Sequence, residues 1–226
     1  MAKENQKELE IERQEKVVES VSKIEKFFND NQKTIYGVLC AIIVIGLAVL
    51  AYQKFYLQPK KAEALAQLYP AEASFRSGEY DLALNGDGNV AGFAQIIKDY
   101  GKKAGAAVYL YAGVCELEAG NWQSALDYLK KYDGKEPILA ARALAATGDA
   151  YVGLEDYKAA LGYFEKAAAK ADNMFAATYL LKAAQVCEEL GDTDKALTLY
   201  KQIKEKYPQS IEGYDVDKYI SRINSK

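Results

Sequence analysis

The chain contains no histidine. This removes the commonest general base, the commonest zinc ligand and every Ser-His or Cys-His nucleophile arrangement. Cysteine is scarce too. Cys40, Cys115 and Cys187 form no C-x-x-C pair, which excludes a zinc knuckle and a thioredoxin-like redox motif. Only four prolines interrupt 226 residues, and no period-2 run of β-branched residues lies between turn signals. The first absence favours helices and the second argues against a sheet, so the fold class expected is all-α. A basic excess is also missing. The net charge is -3, and residues 62–226 hold 19 Lys+Arg against 24 Asp+Glu, a difference of -5. Nucleic-acid binders draw most of their affinity from phosphate neutralisation, so a nucleic-acid partner is not expected. Half the residues are hydrophobic and 27% are charged, the balance of a globular chain.

What is present begins with an apolar run. From Thr34 to Gln53, between Lys33 and Lys54, 20 residues carry no formal charge. As a helix they would span about 30 Å, the thickness of a bilayer's hydrocarbon core. Tyr36 stands near one end, and Tyr52, Phe55 and Tyr56 near the other, as in an interfacial aromatic belt. Residues 34–57 are therefore assigned to a transmembrane helix. A buried core helix fits less well, because a domain of this size rarely needs a helix apolar on all sides. A cleaved signal peptide fits poorly, since the run is long and no small-x-small cleavage site follows closely. Lys16, Lys23, Lys26 and Lys33 precede the run, and Lys54, Lys60 and Lys61 follow it. That bias places the N-terminus on the cytoplasmic side.

Residues 1–33 read as a charged helical tail. Val17, Val21, Ile24 and Phe28 form an apolar stripe at spacings of four, three and four. It fits a membrane-surface or partner-binding helix, or equally a short solvated lead into the membrane. Gly37 and Ala41 make one small-xxx-small pair, so tail and span both offer surfaces for helix association.

Beyond the span the sequence repeats itself. Gly78 to Leu84, Gly120 to Leu126, Glu155 to Leu161 and Gly191 to Leu197 align, each ending in Ala-Leu. The aligned alanines (Ala83, Ala125, Ala160, Ala196) lie 42, 35 and 36 residues apart. A first helix can end on the glycine, and the acidic or amide residue after it can cap a second. The small alanine lets the two helices approach. One such pair cannot bury its own apolar face, so neighbouring pairs stack.

This pattern resembles the tetratricopeptide repeat, whose period is about 34 residues. Gly113, Gly120, Trp122 and Ala125 match its marker positions, as do Gly148, Tyr151, Tyr157, Ala160, Phe164 and Ala167. Ala184, Ala196, Tyr200 and Pro208 follow in the fourth repeat, and Ala71, Ser74, Gly78, Tyr80 and Ala83 in the first. The resemblance implies an α-solenoid over residues 58–226, with repeats at about 62–104, 105–136, 137–173 and 174–208. Residues 212–225 would cap the open end, with Ile211, Tyr214, Tyr219, Ile220 and Ile223 as the apolar face.

Motifs that look chemical have plainer readings. Gly86-x-Gly88-x-x-Ala91 matches a dinucleotide fingerprint as text, but a helix precedes it and Asp87 would repel phosphate. Asn85, Asp87 and Asn89 resemble the start of a calcium loop that lacks its sixth-position Gly and closing Glu. Neither a cofactor nor a metal is expected, and a Gly-bent linker between helices is. Cys115 and Cys187 fall within first helices of separate repeats and read as small buried residues. Asp149, Glu155 and Asp156 form no acid-base couple, so no catalytic residue is assigned and the chain is not expected to be an enzyme.

By the resemblance, first helices of the repeats present a concave face to proteins or peptides. Repeat position places Tyr69, Phe75, Leu110, Tyr111, Val114, Leu117, Arg142, Asp149, Val152, Lys182 and Gln185 there. The basic set that clamps C-terminal carboxylates in chaperone-binding relatives is not reproduced. Tail, single span and repeat domain together look like bitopic inner-membrane tetratricopeptide proteins of Gram-negative bacteria. The layout is similar to the Sec-translocon-associated ancillary family. That resemblance implies a periplasmic scaffold docking secretion partners or periplasmic chaperones. The alternative is a generic scaffold for envelope assembly or division.

Overall fold

The computed structural model describes residues 2–171 and 173–225, without the side chains of residues 2–12, 14, 15, 17, 20, 171 and 174. Val17 of the tail stripe is thus outside the described side chains. The chain falls into two compact units, Met1–Pro59 and Lys60–Lys226.

In the first unit, α1 (Ala2–Tyr52) is one unbroken helix, followed by a π-helical turn over Gln53–Leu57. No proline or glycine falls between residues 2 and 36, so nothing in the sequence bends the helix there. Tyr52 and Tyr56 stack at 5.2 Å across the π turn. The apolar window of this helix has a mean hydropathy of 2.6 and none of it is buried. It is long and apolar enough to cross a membrane.

The second unit is all-helical, with no named strand among the described residues. Its first hairpin pairs α2 (Gln58–Arg76) with a second limb broken in two, α3 (Tyr80–Asn85) and α4 (Phe93–Tyr100). Then come α5 (Ala107–Glu118) with α6 (Trp122–Leu129), α7 (Pro137–Gly153) with α8 (Tyr157–Ala171), and α9 (Met174–Glu189) with α10 (Thr193–Lys206). A last helix, α11 (Ile211–Asn224), closes the stack.

The four aligned alanines are the contact points between paired helices. Ala83, Ala125, Ala160 and Ala196 are each fully buried. Glycine plays the same part on the first helices. A Cβ on Gly113 would meet Leu129 at 2.6 Å, and one on Gly148 would meet the Phe164 ring at 2.6 Å. Gly153 does this between repeats, where a Cβ would meet the Trp122 indole at 2.3 Å.

The turns follow the expected chemistry, with variations. Gly78, Gly120 and Gly191 adopt φ of 80°, 76° and 74°, and Glu155 fills the equivalent place at φ 59°. Asp192 and Asp156 cap the helices that follow, accepting from the Lys195 and Ala159 amides. Asn121 and Glu79 make no side-chain cap. The Asn121 amide instead donates to Glu116 Oε2. Glu136 caps α7 by accepting from the Ile138 and Leu139 amides, with Pro137 in the first turn, where its missing N–H leaves no gap.

The Gly-rich insertion is a tight turn between α3 and α4. Gly86 pairs with Ala91 in an isolated antiparallel bridge, and Asp87 Oδ1 accepts from the Asn89 and Val90 amides. Those bonds hold the Asp87 carboxyl below its ordinary range.

The final helix departs from expectation on one point. Ile211 and Tyr214 are 81% and 75% exposed rather than part of the covering face. The buried side is Val216 with Tyr219, Ile220 and Ile223 packed around it, an i, i+3, i+4, i+7 stripe. Ile211 is the first residue after the Ser210 cap, whose hydroxyl accepts from the Gly213 amide, and it points off that stripe.

Candidate functional site

A concavity of about 750 Å³ in the second unit runs across α7, α8, α9 and α11. Asp149 and Val152 come from α7, and Lys182 and Gln185 from α9. Tyr157 and Phe164 come from α8, and Tyr219 and Arg222 from α11. The successive first helices each contribute side chains spaced three or four apart, so they project from one face.

Two charge couples organise the groove. Lys182 Nζ donates to Asp149 Oδ1 and Oδ2 at 2.6 and 2.8 Å and sits 5.7 Å above the Phe164 ring. Burial pushes the Asp149 carboxyl above its usual value, and the Lys182 ammonium opposes that push. In the second couple, Glu188 Oε1 accepts from Arg222 at 2.6 Å and from the Tyr200 hydroxyl at 2.7 Å. Tyr200 stacks on Tyr219 at 5.1 Å, nearly parallel, and the Arg222 guanidinium lies 5.4 Å from the Tyr219 ring centre. Burial first, and then the Glu188 hydrogen bond, push the Tyr200 phenol up. These links fix α11 to α9, so the last helix is a wall of the groove as well as a cover.

The groove thus sets the half-buried rings of Tyr157 and Tyr219 beside charged and polar side chains. Among the described residues, no group of three or more His, Cys, Asp or Glu side chains is placed to hold a metal ion.

Comparison with known proteins agrees with the helical-repeat fold. A tetratricopeptide-repeat profile matches residues 151–216, which include α8, α9 and α10, and another matches residues 107–137, the hairpin of α5 and α6. The chain carries tetratricopeptide repeats. Two solved structures of MamA share the fold. One is 20% identical with a TM-score of 0.52, covering 69% of this chain and 92% of its own. The other is 18% identical with a TM-score of 0.52, covering 74% and 87%. A search of curated proteins finds no significant match.

The tetratricopeptide hairpins distribute the expected face unevenly. Asp149, Val152, Lys182 and Gln185 converge on the groove. Phe75 and Tyr111 instead join an aromatic cluster, 5.1 Å apart, with Phe93 at 6.0 and 5.6 Å from them. Leu110 is 1% exposed and belongs to the core between the second and third hairpins, with Val114 and Leu117 packed against it. Tyr69 is 69% exposed on α2, and Arg142 is exposed on α7.

Sequence reasoning missed Tyr157, Phe164, Glu188, Tyr219 and Arg222. Tyr157 and Phe164 carried a signal, as repeat markers, but were not placed on the expected binding face. Tyr219 and Arg222 lie on a helix read only as a cap.

Proposed function

We propose that this protein is a membrane-anchored scaffold that docks partner polypeptides in the groove of its last two repeats. The carrying observation is the groove itself. Four helices, α7, α8, α9 and α11, converge on it with aromatic side chains and two charge couples, and the repeat family supports protein binding. The anchor is residues 34–57, supported by an apolar helix window of which no part is buried. On this reading residues 1–33 form the tail, residues 58–226 the repeat domain, and Tyr69 and Arg142 extend the binding face. The protein would lie in a bacterial inner membrane, N-terminus cytoplasmic and repeat domain periplasmic, serving secretion or envelope assembly. It acts by binding and not by catalysis.

Reversing both groove cations, Lys182→Glu with Arg222→Glu, tests the site. Crosslinking in native membranes should lose its principal polypeptide partner, with repeat-domain helicity unchanged. Retained crosslinks would rule the groove out. Translocon or chaperone subunits among the crosslinked species support the secretion role, and envelope-assembly proteins the alternative. Ile45→Arg tests the anchor. It should cost about 2.5–3.5 kcal/mol of insertion free energy. Carbonate-resistant membrane association as firm as wild type would contradict the span.

A further inference from the structure

We infer that α1 is the seam of a parallel bundle formed with further copies of this chain, running unbroken from the tail through the span. In the tail, Val21, Ile24 and Phe28 are 50%, 58% and 55% exposed. Their alternating steps of three and four define a 3.5-residue period. Continued through Asn31, that period lands on Ile35, Val38, Ile42, Ile45 and Val49. All five are β-branched. Of the 13 remaining positions between residues 34 and 51, only Thr34, Ile43 and Val44 are. Facing lipid alone gives no reason to keep such a register.

From residue 19 to residue 33 the charges respect the same register. With Val21 and Phe28 as first core positions, Glu19, Lys23, Lys26, Asp30 and Lys33 all fall on the outer side, and within this stretch only Glu25 flanks the seam. Glu19 and Lys23 pair along that outer side at 2.8 Å. Phe27 and Val18, 62% and 68% exposed, widen the apolar stripe beside the seam.

The geometry disfavours the membrane surface as the occupant. To lie on a bilayer the tail would have to turn sharply before the span, yet α1 has no break there. A second copy in the same membrane meets the seam parallel and in register. At about 60–120 Å² per apolar side chain, eight seam residues supply roughly the 800 Å² per partner of a standard interface. Confinement to one membrane raises the effective concentration further. The parallel arrangement rests on the membrane reading; the seam itself does not.

The test is a cysteine scan of the full-length chain in isolated membranes, one substitution at a time over residues 19–28 in a Cys40→Ala background. After mild oxidation, disulfide-linked dimers should peak at positions 21, 24 and 28, at least fivefold above 23 and 26. Equal linkage at all positions, or none at any, overturns the seam. A second measurement uses two differently tagged copies. Val21→Asp with Ile24→Asp should abolish their co-purification from mild detergent while leaving the helicity of the repeats unchanged, and undiminished co-purification overturns the inference. Carbonate extraction of the same membranes judges the anchor separately, because a soluble coiled coil would keep the 21, 24, 28 pattern.

Discussion

Gly148 and Gly162 lie on the paired helices α7 and α8, and the same change at each should have opposite signs. A methyl on Gly148 would stand 2.6, 2.8 and 2.9 Å from three carbons of the Phe164 ring. Comfortable carbon contacts are about 3.5–4.0 Å, so the overlap is roughly 1 Å. Phe164 is 1% exposed, so its ring moves only by displacing packed neighbours. Relief therefore means separating the two helices, and overpacking of this kind costs about 1–3 kcal/mol. Gaining alanine's helix preference returns about 1 kcal/mol at most. The overlap of roughly 1 Å puts the cost in the upper part of that range, about 2–3 kcal/mol, so Gly148→Ala should destabilise by about 1–2 kcal/mol net, lowering the melting temperature by roughly 2–8 °C for a unit of this size. A methyl on Gly162 meets nothing within 4 Å. Gly162→Ala should stabilise by up to about 1 kcal/mol. Thermal unfolding followed by circular dichroism reads both. Phe164→Leu, which makes room, should cost less in the Gly148→Ala background than in wild type. A Gly148→Ala protein as stable as wild type, or strict additivity with Phe164→Leu, would refute the close α7–α8 approach.

Further outcomes follow from single positions. Glu155 holds φ 59°, where its three counterparts are glycines, so Glu155→Gly should stabilise by about 0.5–1 kcal/mol, seen as a higher melting temperature. Burial pushes the Cys115 thiol up to about 12 from 9.0. The folded protein then binds more protons than the unfolded one between those values, so this group's share of stability falls as pH climbs through 9. Cys115→Ala removes that slope, and its stability deficit against wild type should shrink between pH 8 and pH 10; a constant deficit would contradict the buried thiol. Native Cys115 and Cys187, 1% and 0% exposed, should resist a maleimide at pH 8 until the protein is unfolded. Trp122→Ala should destabilise by about 3–5 kcal/mol if the indole locks the second hairpin to the third through Gly153.

The repeat was legible because its markers are steric. Ala83, Ala125, Ala160 and Ala196 must be small for helices to touch there, and spacing alone revealed them. Gly78, Gly120 and Gly191 were legible for a backbone reason, since each takes a left-handed φ. Other features depend on choices between near-equal partners that spacing cannot decide. Asn121 had the chemistry to cap α6 and bonds to Glu116 instead. Ile211 and Tyr214 looked like cover, but the helix phase turns the stripe of Val216, Tyr219, Ile220 and Ile223 inward. The groove was half visible. Asp149, Val152, Lys182 and Gln185 follow from repeat position, whereas Arg222 enters only through its pairing with Glu188, across 34 residues of sequence.

The most direct test of the scaffold places a photoreactive residue at Gln185, inside the groove, and at Lys201, an exposed position on α10 outside it. Both full-length proteins are irradiated in native membranes. The docking account predicts a discrete crosslinked polypeptide from position 185 that is absent from position 201 and lost when Lys182 and Arg222 are reversed to glutamate. Equal crosslinking from the two positions, or none from position 185, would contradict it.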